Sequence, residues 1–184
     1  NIAGGGFRRD DKYFYIYYND YTKSDRSDRR GSVARANASE VIENARKGKN
    51  TLWYKYYNGK WQEPGMGGKA SGIGNIGNHT TMMYNTYIKK WITFPLYASF
   101  YPPDGQTRTI RMRTTSDPLD FHAGSEADEI ICELPKGCRA AYFSIMPDQA
   151  DMTTCGKEFY LYYRYWSLKE NPGYHTARLK ISFE

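Results

Sequence analysis

Three aromatic runs constrain this chain more than any other feature: Tyr13 to Tyr18, Tyr87 to Phe94 and Phe159 to Trp166. Each follows a turn, and runs this short and this aromatic read as strands. They recur about every 70 residues along the sequence. After each comes a strand of small residues and arginine: Ser32 to Ala36, Thr109 to Thr115 and Thr176 to Lys180. The chain therefore reads as all-β, a repeated unit of four strands with one short helix inserted. Such a repeat suggests β-propeller blades, about three of them. A flat β-sandwich is the competing architecture. Three units are fewer than the roughly four to eight blades that close a propeller. The expectation is that residues 1–184 are a single propeller domain or the C-terminal portion of one. Asn1 rather than Met at the start fits a mature product or a fragment.

Composition narrows the function classes. A chain of 184 residues is one domain by default and can bury a real core. Its 18 tyrosines suit half-buried strands, where the ring packs and the hydroxyl reaches water or a partner. The net charge of +6 is scattered. Only Arg26 to Arg30 clusters, and Asp25 and Asp28 interrupt it. A nucleic-acid interface wants a basic face with stacking groups between the charges, so nucleic acid is not expected. An acidic polysaccharide is compatible with the charge. No apolar run is long enough to span a membrane. Cys132 and Cys138 flank a Leu-Pro-Lys-Gly turn and could close a small disulfide loop, leaving Cys155 over. No Cys/His spacing reads as zinc.

The stretch from Trp53 to Ala70 is the densest in signals. Asn58-Gly59 between aromatic flanks predicts a hairpin, because a type I′ turn needs positive φ at both central residues. Pro64-Gly65 and Gly67-Gly68 then break the strand. Two tryptophans and three tyrosines in nine residues exceed what a solvent-facing hairpin needs. They fit either packing on a sheet or a wall for a flat, hydroxyl-rich ligand such as a sugar. Upstream, Asn37 or Ser39 caps a helix that Gly48 stops. His79 to Phe94 reads as two strands bent at Asn85-Thr86. Ala127 to Leu134, Arg139 to Ile145, Lys157 to Trp166 and Thr176 to Phe183 are further strands. No phosphate-binding glycine loop is present, since Gly65 to Gly68 lacks the following helix and the Lys-Ser/Thr pair. Asn37-Ala-Ser39 and Asn78-His-Thr80 match the glycosylation acceptor pattern, which chance also supplies.

Several patterns together resemble one family. They are Tyr13-Phe-Tyr-Ile-Tyr-Tyr18, Ser32-Val-Ala-Arg-Ala36, Trp53-Tyr-Lys-Tyr-Tyr-Asn-Gly-Lys-Trp61 with Pro64-Gly-Met-Gly-Gly68, His79 with Tyr84-Asn-Thr-Tyr87, Thr115-Ser-Asp-Pro-Leu119, and Phe159-Tyr-Leu-Tyr-Tyr163. This resembles the later blades of five-bladed β-propeller glycoside hydrolases, the clan of arabinanases, β-xylosidases and related furanosidases. The resemblance implies a funnel-shaped sugar site at the propeller axis, polysaccharide or oligosaccharide substrates, and a secreted or periplasmic protein. It also implies partners in the remaining blades of a longer chain. His79 would point into the axial channel and hold a water or a metal ion such as calcium. No acidic residue falls in the family's catalytic motif, so the catalytic residues stay unassigned and their carboxylates are expected outside this chain.

Glycoside hydrolysis needs two carboxyl groups flanking the scissile bond. Asp20, Glu63, Asp128, Glu129, Asp148 and Asp151 lie where a cleft could use them, though each alone reads more readily as a solvated surface carboxylate. Arg35 could take a substrate oxygen or pair with a buried carboxylate. The expected substrate-binding set is Trp53, Tyr56, Trp61, His79, Arg35 and Asp20. A non-catalytic carbohydrate-binding propeller and a protein-interaction propeller are the alternatives to a glycoside hydrolase.

Overall fold

The computed structural model describes residues 2–20, 30–77, 82–95, 109–122, 128–135, 138–147, 153–167 and 172–184. Strands dominate them, in three mainly antiparallel sheets. The first sheet is a meander of β1 (Ile2–Arg9), β2 (Tyr13–Asp20), β3 (Arg30–Asn37), β4 (Tyr54–Tyr57) and β5 (Lys60–Pro64). The second runs β6 (Met83–Asn85), β7 (Lys90–Thr93), β8 (Thr109–Thr115) and β9 (Asp128–Glu133). The third joins β10 (Cys138–Ile145), β12 (Glu158–Ser167) and β13 (Gly173–Ser182). Between β10 and β12, the short β11 (Thr154–Cys155) leaves to pair in parallel with β6. Each sheet thus takes in one of the three aromatic runs. The glycine-rich start of the chain is itself a strand, which hydrophobic pattern could not announce because glycine has no side chain to alternate.

Local chemistry accounts for the punctuation. Asn37 caps α1 (Ala38–Arg46) by accepting from the backbone N–H groups of Ser39 and Glu40. Gly48, at φ +64°, lies just past its end. Asn58 and Gly59 have φ of 47° and 78°, the two positive angles of the expected hairpin turn. The Cys132 and Cys138 thiols are free, so the small disulfide loop is not formed.

Strand alternation stacks the sheets. Met83 pairs with Ile92, and both enter a core with Ile110 and Met112 of the second sheet and Phe143, Phe159 and Leu161 of the third. On the opposite face Tyr84 pairs with Trp91, which packs on a second core holding Tyr15, Tyr17 and Val33 of the first sheet. The second sheet is therefore covered on both faces. The described strands make three layers, not the two of a simple sandwich.

One extended segment joins the first two layers. The Gly31 N–H donates to Gly74 O at 2.7 Å, and the Ile73 N–H donates to Gly31 O at 2.8 Å. On the other side the Phe121 N–H donates to Ile73 O at 2.6 Å. Buried Asn19 and Thr93 add side-chain donors to Gly77 O and Ile76 O. Gly74 sits at φ +95°, and a Cβ there would lie 2.1 Å from the Phe121 carbonyl carbon and oxygen. Gly74→Ala should therefore destabilise the fold by roughly 2–5 kcal/mol, adding backbone strain to overpacking. Gly59→Ala, with positive φ but open space around it, should lose only about 1 kcal/mol. Urea unfolding of the two variants measures the difference.

Candidate functional site: an aromatic and arginine surface on the first sheet

Register across the first sheet builds this surface. Tyr15 on β2 has Arg8 of β1 on one side and Arg35 of β3 on the other. Arg35 in turn faces Tyr54 of β4. Two residues along, Tyr13 shares the face of Tyr15, as alternation requires. Tyr56 and Trp61 are cross-strand partners on the hairpin.

The rings form a continuous chain. Tyr13 and Tyr15 centroids are 6.2 Å apart, Tyr15 and Trp61 5.7 Å, and Trp61 and Tyr56 5.1 Å. The Arg35 guanidinium lies 4.0 Å from the Tyr13 centroid and 4.4 Å from that of Trp61. Arg8 lies 4.4 Å from Tyr15 and 4.8 Å from Trp91 of the second sheet. Such contacts are worth about 0.5–2 kcal/mol each, more as the cation loses water. Tyr15 is buried, while Arg8, Tyr13, Arg35, Tyr56, Trp61 and Trp91 are half-buried.

Asp10 supplies the carboxylate. It sits in the turn between β1 and β2, and its Oδ1 accepts the Lys12 and Tyr13 N–H groups at 3.0 and 2.7 Å. Its Oδ2 accepts the Tyr15 hydroxyl at 2.7 Å and faces Arg8 at 3.4 Å. Burial alone would raise its pKa, but those three donors and Arg8 outweigh it and hold the carboxyl below its usual range. Tyr15 is pushed the other way, first by burial and then by donating to Asp10. Deeper in, burial drives the Tyr17 hydroxyl up to about 12 against the pull of Arg8.

Of the residues expected from the sequence, the structure brings together Arg35, Tyr56 and Trp61. Trp53 is elsewhere. It lines an apolar cavity of about 500 Å3 with Ile16, Tyr18, Ala34, Leu52 and Met66. Pairing of Ile16 with Ala34, and of Tyr18 with Ser32, puts that cavity on the outer face of the same sheet. Asp20 ends β2 and acts on Tyr18, whose pKa rises mainly through burial. His79, with its expected metal role, lies outside the described residues, as do Asp148 and Asp151. Among the described residues no group of three or more His, Cys, Asp or Glu could hold a metal ion. Glu63 accepts the Lys69 N–H at 2.9 Å and faces Lys55 across the hairpin. Glu129 is exposed on β9, the strand that Asp128 opens. Arg35 was open to a structural acid, but its contacts are rings. Arg8 and Asp10 were missed, although a carboxylate two residues after an arginine at a strand end was there to be read.

No family model, curated protein or solved structure matches the chain. Among the described residues no helix is long and apolar enough to cross a membrane.

The depressed Asp10 pKa makes a stability prediction with a definite sign. An acid whose pKa is lower folded than unfolded adds stability that is fully present above the unfolded value, about 3.9. That stability is lost as pH falls through the folded value. Asp10→Asn should lower Tm at pH 7, and its deficit against the unmodified protein should shrink as pH drops below about 4. Thermal scans of both proteins across acid pH measure it; a constant deficit would contradict the ionic role.

Proposed function

We propose that this chain is a carbohydrate-active protein of β-propeller type, and that the surface of Tyr13, Tyr56 and Trp61, built over the buried Tyr15, holds sugar. One observation carries the reading. Four linked rings on one sheet face are flanked by two guanidiniums and an ionised carboxylate. Sugars present apolar C–H faces and a rim of hydroxyls. Rings take the former, while arginine donors and a carboxylate acceptor take the latter.

The propeller reading draws support from the layering. Three sheets follow one another in chain order and stack face to face through two cores. The outer face of the first sheet leaves Phe7, Ile16, Leu52 and Met66 exposed. In this reading a neighbouring blade packs there.

Activity as a glycoside hydrolase requires a second carboxyl group facing the first across roughly 5–10 Å. Asp10, held ionised, suits a base or a hydroxyl acceptor and not the protonated acid. The described residues therefore favour binding, and hydrolysis depends on an acid brought to this surface from elsewhere. In this reading the protein works outside the cell or in the periplasm.

Titration calorimetry with neutral xylo- and arabino-oligosaccharides tests the surface. Trp61→Ala should weaken binding at least tenfold, while Trp53→Ala, on the opposite face, should leave it unchanged. Trp61 also packs on the core, so binding is measured well below each variant's Tm. Sensitivity to Trp53 instead of Trp61, or no binding at all, would overturn the assignment.

A further inference from the structure

Arg35 is held in an unusual way. Its guanidinium is stacked on Tyr13 and Trp61 at 4.0 and 4.4 Å, half-buried, with the Tyr15 hydroxyl beside it. Among the described residues no carboxylate pairs with it. Arg8, one strand beyond Tyr15, differs in having Asp10 at 3.4 Å. Stacking occupies the flat faces of a guanidinium and leaves its edge, with its N–H fork, for another group. A partly dehydrated cation without an acid is an incomplete pair, and a planar carboxylate is the group its fork fits best. The chain's net charge of +6 adds a field that favours an anionic ligand.

We infer that this surface selects acidic sugars, with Arg35 taking the carboxylate of a uronic acid residue while Tyr13 and Trp61 bracket the guanidinium. This rests on the sugar-binding reading of the same surface. The carboxylate fills the fork, and the adjoining half-buried ring of Tyr56 remains for the sugar's C–H face. Asp10 accepts the hydroxyl of Tyr15, the residue paired with Arg35 across the strands.

The probe is a uronic-acid trisaccharide set against its carboxyl-reduced, neutral counterpart, each titrated into the unmodified protein at low and moderate salt. The acidic form should bind at least tenfold more tightly at low salt, and the gap should narrow as salt rises. Arg35→Gln should cost the acidic form at least tenfold more affinity than the neutral one and so remove most of the gap between them. Arg35→Lys should retain part of the preference. Equal binding of both trisaccharides would overturn the acidic-sugar inference and leave the sugar surface standing. Failure of both to bind would overturn the sugar surface itself. The two-ligand comparison uses the unmodified chain, so it stands even if Arg35→Gln fails to fold.

Discussion

The backbone hydrogen bonds of Ile73 and Gly74 set the spacing on which the rest depends. They tie Gly31, at the start of β3, to Phe121, beyond the end of β8, through a single extended strand of peptide. Both glycines there serve that closeness. A Cβ on Gly31 would meet Gly74 O at 2.7 Å, and one on Gly74 would meet the Phe121 carbonyl at 2.1 Å. With the two backbones held this near, Tyr17 and Val33 meet Ile73, Ile76 and Met82 in one core, and Arg8 reaches Trp91 across the layers. Gly6 plays the same part on β1, where a Cβ would lie 2.8 Å from the Met82 nitrogen.

That spacing decides which face of the first sheet becomes the arginine surface and which stays apolar. Odd-numbered positions of β2, from Tyr13 to Asn19, turn toward the second sheet, and the even-numbered Phe14, Ile16 and Tyr18 turn away. The same rule separates Trp53 from Trp61 although both belong to one hairpin. Lys55 pairs with Ala34 on the outer face, and its amine donates to Gly68 O at 2.9 Å. Trp53, two residues before Lys55, shares that face, whereas Tyr56 and Trp61 meet on the inner one. A one-residue slip would exchange the two sets.

Much of the architecture was legible because it is local. The Asn58-Gly59 turn, the Asn37 cap and the aromatic strands follow from short-range stereochemistry. What was not legible depends on partners far away in sequence. The strand of Ile2–Arg9 exists because β2 pairs with it, despite three consecutive glycines. Thr154–Cys155 is a strand only because β6 offers it an edge. The candidate site divides the same way. Arg35, Tyr56 and Trp61 stood out by residue type, and their meeting follows from hairpin and meander. Grouping Trp53 with them required knowing which face it takes, and the composition of the hairpin carries no such information. Asp10 becomes significant only once the β1–β2 register sets Tyr15 beside Arg8.

Three arginines of these two sheets illustrate how burial dictates company. Arg113 of β8 is fully buried, and it donates to the Phe121 carbonyl at 2.6 Å, since a dehydrated cation must find acceptors. Arg8, half-buried, divides its contacts between two rings and the Asp10 carboxylate. Arg35, also half-buried, leans on rings without an acid among the described residues. If the surface takes sugar as proposed, a neutral ligand covering the rings would leave the guanidinium edge without a counter-charge. In the acidic-sugar proposal that penalty falls on neutral ligands and spares anionic ones.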